Sequence, residues 1–173
     1  MSEIYQPAED SHLLEDTLKK YIKDTNVKAI EIGVGSGIQL KTLRDLGIKD
    51  LSGVDVNKNA VKHCKELGFH CMVSDLFNFI KEKYDLIVFN PPYLPENRKE
   101  PKDSKMATTG GELGSEIINK FLRQAKEHMN PNAKIYLLTS SLTKGIDWKD
   151  YNKKLLAKKK LFFEELYVWE VTV

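Results

Sequence analysis

The chain has 173 residues, of which 41% are hydrophobic and 30% are charged, a composition that suits one globular domain with a real buried core. Lysine and arginine number 27 against 25 acidic residues, so the net charge is +2. This balance argues against bulk electrostatic attraction to nucleic acid or to a membrane surface. We therefore expect a single domain over residues 1–173, with any such contact confined to a local patch.

The cysteines and apolar runs indicate a reducing, aqueous compartment. Cys64 and Cys71 match no metal-ligand or redox spacing and are typical of reduced intracellular thiols. Residues 1–5 do not resemble a signal peptide, and no apolar run approaches the roughly 18 residues that a membrane span requires. The four histidines also lack metal-ligand spacing, so we expect no metal site. The sequence predicts a soluble cytoplasmic protein.

The first half of the chain alternates apolar segments with amphipathic ones. Helical spacing of leucine and isoleucine predicts a first helix over residues 9–22. Short apolar runs predict strands at 27–32, 51–56, 70–73 and 84–89, and helical spacing predicts helices at 38–47 and 57–67. Units of this kind build a doubly wound α/β sheet with mostly parallel strands.

Residues 5–11, with the sequence Tyr-Gln-Pro-Ala-Glu-Asp-Ser, lead into the first helix, and we call them the leading segment. Pro7 and the polar residues Glu9, Asp10 and Ser11 are helix start signals. Both an ordinary helix cap and a ligand-facing loop are compatible with this sequence. The physics alone favours the cap.

A glycine loop joins the first strand to the next helix. Its sequence, Glu-Ile-Gly-Val-Gly-Ser-Gly at residues 31–37, lets a ligand approach the backbone, and the helix N-terminus offers free N–H donors. The third glycine comes one residue earlier than in the dinucleotide-binding fingerprint. Asp55 follows at about the spacing at which an acid reaches ribose hydroxyls, although it could also cap the following helix. Together these features favour a nucleoside site, where Asp75 could bind an exocyclic amine.

The sequence Asn-Pro-Pro-Tyr at residues 90–93 follows the apolar strand at 84–89. The chain must turn here, because each proline lacks the donor that a sheet ladder needs and has a fixed φ. If this strand lies beside the first one, the turn and the glycine loop face each other at the topological switch point of the sheet. A plain proline-rich loop is the alternative, but the two motifs together favour a substrate site.

The second half of the chain is less regular. Residues 94–111 predict a long loop, which we interpret as a substrate-side lid. Residues 115–129 predict a helix that Asn130 and Pro131 stop, and 133–139 predict a buried strand. Seven lysines between residues 144 and 160 favour a solvated face over a nucleic-acid patch. Residues 162–173 favour a final strand.

These motifs, together with Ser-Asp-Leu-Phe at residues 74–77 and Gly-Gly-Glu-Leu-Gly at 110–114, resemble class I methyltransferases that use S-adenosylmethionine. Within that class the chain resembles the short archaeal and eukaryotic branch of the HemK-like protein glutamine methyltransferases, which residues 161–166 also match. The resemblance covers nearly the whole chain. It implies a Rossmann-like seven-stranded sheet, antiparallel only in its last strand, with helices on both faces. Residues 144–151 look shorter than the helix that the family carries there.

The resemblance also divides the site into a cofactor part and a substrate part. Asp55 would bind the ribose, and Asp75 with the Leu76 backbone would bind the adenine. The cofactor residues that it implies are Ser11, Glu31, Gly33, Asp55, Asp75, Leu76 and Asn90, with Glu31 and Gly33 beside the methionine part. The substrate residues are Asn90, Pro91, Pro92 and Tyr93, of which Asn90, Pro91 and Tyr93 would be catalytic.

The substrate that the resemblance implies is the glutamine of the Gly-Gly-Gln motif in a class I peptide chain release factor. An amide nitrogen is a poor nucleophile and needs positioning, which the Asn90 side-chain oxygen and the Pro91 carbonyl could provide by accepting its two N–H groups. The same turn would suit the amino group of adenine in DNA or RNA, although this chain lacks a nucleic-acid recognition domain and a strong basic balance. Protein lysine methylation is a third candidate, whereas the intact turn argues against a cofactor-binding subunit without activity.

The resemblance implies a protein partner as well. It is a small zinc-binding activator protein that stabilises several methyltransferases. If the strand order follows the family, residues 70–73 lie at a sheet edge, where the strand of another chain can dock. We expect a heterodimer through this edge.

Overall fold

The computed structural model describes residues 4–96 and 109–173. The helices are α1 (Glu9–Tyr21), α2 (Ile38–Asp45), α3 (Lys58–Glu66) and α4 (Glu116–Ala125). The strands are β1 (Lys28–Ile32), β2 (Asp50–Asp55), β3 (His70–Val73), β4 (Tyr84–Phe89), β5 (Met129–Ser140), β6 (Asn152–Lys160) and β7 (Glu165–Thr172). The elements predicted in the first half of the chain are confirmed, with small differences at their ends. No helix in the described ranges is long and apolar enough to cross a membrane.

The strands form one sheet in the order β3-β2-β1-β4-β5-β7-β6. β1 pairs in parallel with both β2 and β4, which confirms the predicted strand-order reversal. β7 is antiparallel to β5 and to β6, so it runs against the other strands. The ends of β1, β2, β3 and β4 therefore meet at one edge of the sheet, the carboxyl edge. The turn between β6 and β7 lies at this edge too, because β6 runs in the same direction as β5.

Helices cover both faces of the sheet, and alternate residues of β4 show how. Phe89 packs with Phe121 of α4, their ring centroids 4.7 Å apart, whereas Val88 faces the cluster that contains Leu14 of α1. Burying a side chain of this size contributes about 1.5–3 kcal/mol. This packing on two faces fixes the end of β4, from which the Asn-Pro-Pro-Tyr turn begins.

The predicted helix at 115–129 is wrong at its C-terminal end. α4 ends at Ala125 and, after a short 3-10 turn, Met129 is already the first residue of β5. Asn130 and Pro131 therefore stop no helix. They lie where the register between β4 and β5 shifts, and such a bulge tolerates proline because its residues need not donate to the ladder.

The lysine-rich run forms β6, an edge strand that was not predicted. Within β6, Leu156 is buried and the lysines are exposed, which agrees with the predicted solvated face. Lysines on an edge strand also oppose further strand pairing. The described chain forms no helix between residues 141 and 151, in the region that looked shorter than the family's helix. The predicted strand at 162–173 is β7, but Phe162 and Phe163 belong to the turn before it.

Candidate functional site

A cavity of about 450 Å³ opens at the carboxyl edge between the glycine loop after β1 and the turn after β4. This volume lies within the range of small-molecule sites. The predicted site residues that line it are Ser11, Glu31, Gly33, Asp55, Asp75, Leu76, Asn90, Pro91 and Pro92. Tyr93 is not among the lining residues. The structure thus brings together the residues that the sequence singled out.

The glycine loop approaches β2 closely. Gly33 has a φ of 71°, in the left-handed region that favours glycine. Its N–H donates to the Val54 carbonyl at 2.7 Å, which ties the loop to the neighbouring strand. The backbone of Gly33 therefore lines the cavity directly.

Two carboxylates lie under this loop. Glu31 is 2% exposed, and its Oε2 accepts the Leu40 N–H at 3.1 Å. Burial is the main reason why the pKa of Glu31 is raised well above its ordinary value. Asp55 accepts the N–H groups of Gly35 and Asn57 at 3.0 and 2.8 Å, and burial raises its pKa as well. Since a nearby cation stabilises an ionised carboxylate, this region favours a positively charged ligand.

Two predicted helix caps are not caps. Asn57 caps α3 through its own side chain, so the cap interpretation of Asp55 is wrong. α1 begins after Ala8 without a side-chain cap bond, so the cap interpretation of the leading segment is wrong too. Asp10 and Ser11 turn inward instead and are buried beside the cavity, because the hydrogen-bond partners of Asp10 lie there.

Asp10 connects the leading segment to the turn after β4. Its carboxylate accepts the Tyr5 hydroxyl at 2.9 Å, the Ser11 N–H at 2.7 Å and the Asn90 side-chain Nδ2–H at 3.0 Å. The Tyr93 hydroxyl donates to it at 3.4 Å. Burial, and then the charge of Asp10, raise the pKa values of Tyr5 and Tyr93, so both hydroxyls stay protonated and donate. Sequence reasoning missed this role, for which the only signal was an acid beside Ser11.

This arrangement leaves the side-chain oxygen of Asn90 free. Asn90 Oδ1 is buried, and it has no hydrogen-bond partner among the residues that the structure describes. An unpaired buried acceptor costs about 1–3 kcal/mol. The position therefore favours an incoming N–H donor.

Gln39 of α2 is a second such amide, and sequence reasoning missed it. Its Nε2–H donates to the Ser11 carbonyl at 2.8 Å, while its Oε1 has no partner in the described part of the chain. The side chain is 1% exposed and lines the cavity. A lone glutamine in an amphipathic helix gives no sequence signal for this position.

Residues 109–114 support the Asn-Pro-Pro-Tyr turn from behind. A Cβ on Gly110 would lie 2.5 Å from the Pro92 carbonyl oxygen, and one on Gly114 would lie 2.4 Å from that of Tyr93. Thr143 Oγ1 donates to the same Tyr93 oxygen at 2.9 Å. The Gly110 N–H donates to the Leu94 carbonyl at 2.9 Å, which joins the two ends of the predicted lid. Most of that lid, residues 97–108, lies outside the described residues.

The sequence matches the family model described as methyltransferase small domain over residues 8–148. The chain belongs to this methyltransferase family. A relative from Methanocaldococcus jannaschii, named as a protein N5-glutamine methyltransferase, is 36% identical over 96% of this chain and 90% of its own. Methyltransferase HEMK2 of Mus musculus is 31% identical over 79% of this chain and 72% of its own. These matches confirm the family resemblance that the motifs indicated.

The fold of the methyltransferase matches solved structures as well. The E. cuniculi Mtq2-Trm112 complex, described as responsible for methylation of the eRF1 translation termination factor, aligns with 99% of this chain and 98% of that chain. The TM-score is 0.79 at 24% identity. This likeness confirms the Rossmann-like fold that the sequence predicted.

In this methyltransferase, the corner of the cavity after β3 holds an ion pair. Lys120 Nζ lies 2.5 Å from Asp75 Oδ2, and both residues line the cavity. Both side chains are about half exposed, so the pair stabilises the fold by at most about 1 kcal/mol and a ligand amine could displace it. Leu76 has a φ of 52°, a left-handed conformation that costs about 1–2 kcal/mol for a non-glycine residue. Such strain clusters at functional sites.

Proposed function

We propose that the protein transfers a methyl group from S-adenosylmethionine to the side-chain amide nitrogen of the glutamine in the Gly-Gly-Gln motif of a peptide chain release factor. The observation that carries the proposal is the Asn90 amide, whose nitrogen is bound to Asp10 and whose oxygen is buried without a partner among the described residues. The name of the M. jannaschii relative and the description of the E. cuniculi complex support this substrate.

The residues of the cavity fit S-adenosylmethionine. The unpaired oxygen of Gln39 and the carboxylate of Glu31 suit the ammonium group of its methionine part, and Asp55 suits its ribose hydroxyls. We assign the cofactor to the predicted residues Ser11, Glu31, Gly33, Asp55, Asp75, Leu76 and Asn90, and we add Gln39. When bound, this cofactor supplies a methyl group that its sulfonium centre has already activated.

The substrate amide needs orientation, because its nitrogen lone pair is delocalised into the carbonyl. Asn90 Oδ1 would accept one N–H and the Pro91 carbonyl the other, which directs the nitrogen at the methyl group. The two acceptors also stabilise the positive charge that builds on nitrogen during the transfer. Tyr93 does not line the cavity, so the predicted packing of its ring on the substrate amide is replaced by a hydrogen bond to Asp10, and Pro92 would keep the turn rigid. The extra proton then leaves the methylated nitrogen for solvent.

Mass-spectrometric mapping of a release factor incubated with enzyme and S-adenosylmethionine, with and without an activator protein, tests this function. We expect a single methyl on the Gly-Gly-Gln glutamine and a rate at least about 100-fold lower with Asn90→Ala, the scale of losing one transition-state contact. Asn78→Ala, an exposed asparagine that does not line the cavity, should keep the wild-type rate. An unmodified release factor beside methylated adenine in added RNA or DNA would refute the proposal.

We further propose that a small zinc-binding activator adds a strand to β3. β3 is an outer strand of the sheet, and it exposes 37% of Met72 and 42% of Val73. Apolar residues on an open edge are what edge strands normally avoid, so a covering partner accounts for them. The pairing of Mtq2 with Trm112 in the E. cuniculi complex supports a partner of this kind.

A further inference from the structure

Two phenylalanines form the tip of the β6–β7 hairpin. The Leu161 N–H donates to the Glu164 carbonyl at 2.8 Å, which closes a turn with Phe162 and Phe163 at its two central positions. Their side chains are 91% and 83% exposed, and the rings pack edge to face with centroids 4.6 Å apart. Two-residue hairpin turns favour asparagine, aspartate and glycine. Neither turn chemistry nor core packing therefore explains these aromatic residues.

The tip lies near the Asn-Pro-Pro-Tyr turn, which forms the proposed methyl-acceptor site. Glu164 accepts a hydrogen bond from the Ser140 hydroxyl, the Ser140 N–H donates to Thr143 Oγ1 at 3.2 Å, and Thr143 Oγ1 donates to the Tyr93 carbonyl at 2.9 Å. This chain of hydrogen bonds connects the hairpin to the Asn-Pro-Pro-Tyr turn. Both features lie at the carboxyl edge of the sheet, since β6 and β4 run in the same direction.

The hairpin holds its tip in place before any partner arrives. β6 pairs with β7 along most of its length. Lys158 lies 3.4 Å from Glu165, and Lys159 pairs with Glu9 at the start of α1. An exposed aromatic pair on a rigid support has the properties of an interface anchor, because little conformational freedom is lost when it binds.

We propose that Phe162 and Phe163 bind the body of the substrate protein, on an apolar surface next to the loop that presents its glutamine. This inference rests on the proposed function. A glutamine that reaches Asn90 brings the surface around it over the carboxyl edge, where the tip projects. The activator would dock on β3, at the opposite end of the strand order, so the tip stays free for substrate.

The test compares two acceptors, an intact release factor and a short peptide that contains Gly-Gly-Gln. For the double variant Phe162→Ser and Phe163→Ser, we expect kcat/KM on the intact protein to fall tenfold or more, through a higher KM. The rate on the peptide and the affinity for S-adenosylmethionine should stay within twofold of wild type. Leu155→Ser, an exposed apolar residue on β6 away from the tip, is the matched control and should leave both acceptors unaffected.

A conservative double variant, Phe162→Leu and Phe163→Leu, should keep most of the activity on the intact protein because it keeps an apolar tip. An equal loss on both acceptors, or no loss on either, would overturn the proposal. The proposal would also fail if the double serine variant changed its oligomeric state in light scattering but methylated the release factor at the wild-type rate. The tip would then bind a second copy of this chain. If wild-type enzyme methylates neither acceptor, with or without an activator protein, the proposed function itself fails and this inference fails with it.

Discussion

Asn90 and Gln39 present the same chemistry at two points of the cavity. Each amide has its nitrogen bound within the protein, to Asp10 or to the Ser11 carbonyl, and its oxygen unpaired among the described residues. An amide held by its nitrogen cannot rotate freely, so its oxygen is a fixed acceptor. A site built to accept a hydrogen bond discriminates strongly against ligands that lack the donor.

The role of Gln39 can be tested with two ligands. We expect Gln39→Leu to weaken S-adenosylmethionine binding about tenfold or more, since a hydrogen bond to a charged group contributes about 1.5–3 kcal/mol. Binding of 5′-methylthioadenosine, which lacks the ammonium group, should stay the same in isothermal titration calorimetry. An equal loss of affinity for both ligands would mean that Gln39 has only a structural role, in which it connects α2 to α1.

The sequence predicted the site residues whose position follows from local spacing. Asp55 and Asn90 each stand at or just after a strand end, so strand periodicity and topology were enough to predict that they meet at one edge, whereas the family resemblance supplied the role of Glu31. The roles of Asp10 and Gln39 depend on contacts between distant parts of the chain, with partners 80 and 28 residues away. No local pattern records such a contact.

At the level of elements, the Asn-Pro-Pro-Tyr turn depends on the segment packed behind it. Gly114 has a φ of 82°, and its backbone lies against the Tyr93 carbonyl. The Leu113 N–H donates to Glu116 Oε1 at 2.9 Å, which ties this segment to the start of α4. The turn is therefore held between β4, from which it begins, and the glycine segment.

We expect Gly114→Ala to destabilise the fold by about 2–5 kcal/mol, the sum of left-handed strain and overpacking. It should also lower kcat at least tenfold, because the added methyl displaces the turn. Gly68→Ala is the matched control, since Gly68 has a similar φ of 85° but no atom within 4 Å of the added Cβ. It should cost only the strain, about 1–2 kcal/mol, and leave kcat unchanged.

Urea unfolding and steady-state kinetics measure the two effects. A Gly114→Ala enzyme with the stability and kcat of Gly68→Ala would show that the glycine segment does not hold the turn in place.

Elements with clear periodicity were predicted from sequence, whereas β6 was not, because a lysine-rich edge strand has little apolar alternation. The end of α4 was misjudged because proline at a bulge resembles proline at a helix stop.

At the scale of the whole molecule, the two outer strands of the sheet have different surfaces. β6 exposes lysines, which protect an edge, whereas β3 exposes Met72 and Val73. We expect Met72→Glu to reduce co-purification with an activator protein at least tenfold, because a charge at an apolar interface must be desolvated. Leu155→Glu, similarly exposed on β6, should leave co-purification intact. Full recovery of the complex with Met72→Glu would exclude β3 as the docking strand.

The proposed methyl-acceptor site depends on contacts between distant parts of the chain. α1 supplies Asp10, Asn90 directly follows β4, and residues 109–114 support the turn that begins at Asn90. Motifs predicted which strand ends would meet, but not that the leading segment would orient the Asn90 amide. Asp10 therefore holds the Asn90 amide so that its oxygen faces an incoming N–H donor.

The kinetics of Asp10→Asn on a release factor, measured together with its affinity for S-adenosylmethionine, test this orientation of Asn90. The asparagine side chain has one acceptor oxygen where Asp10 has two, so the hydrogen bond that fixes the Asn90 amide is weakened or lost. We predict that kcat falls about 10–100-fold, part of the effect of losing a transition-state contact. Cofactor affinity should stay within threefold, and Asp16→Asn, exposed on the same helix, should match wild type. An unchanged kcat, or a loss confined to cofactor affinity, would show that Asp10 does not orient Asn90 for methyl transfer.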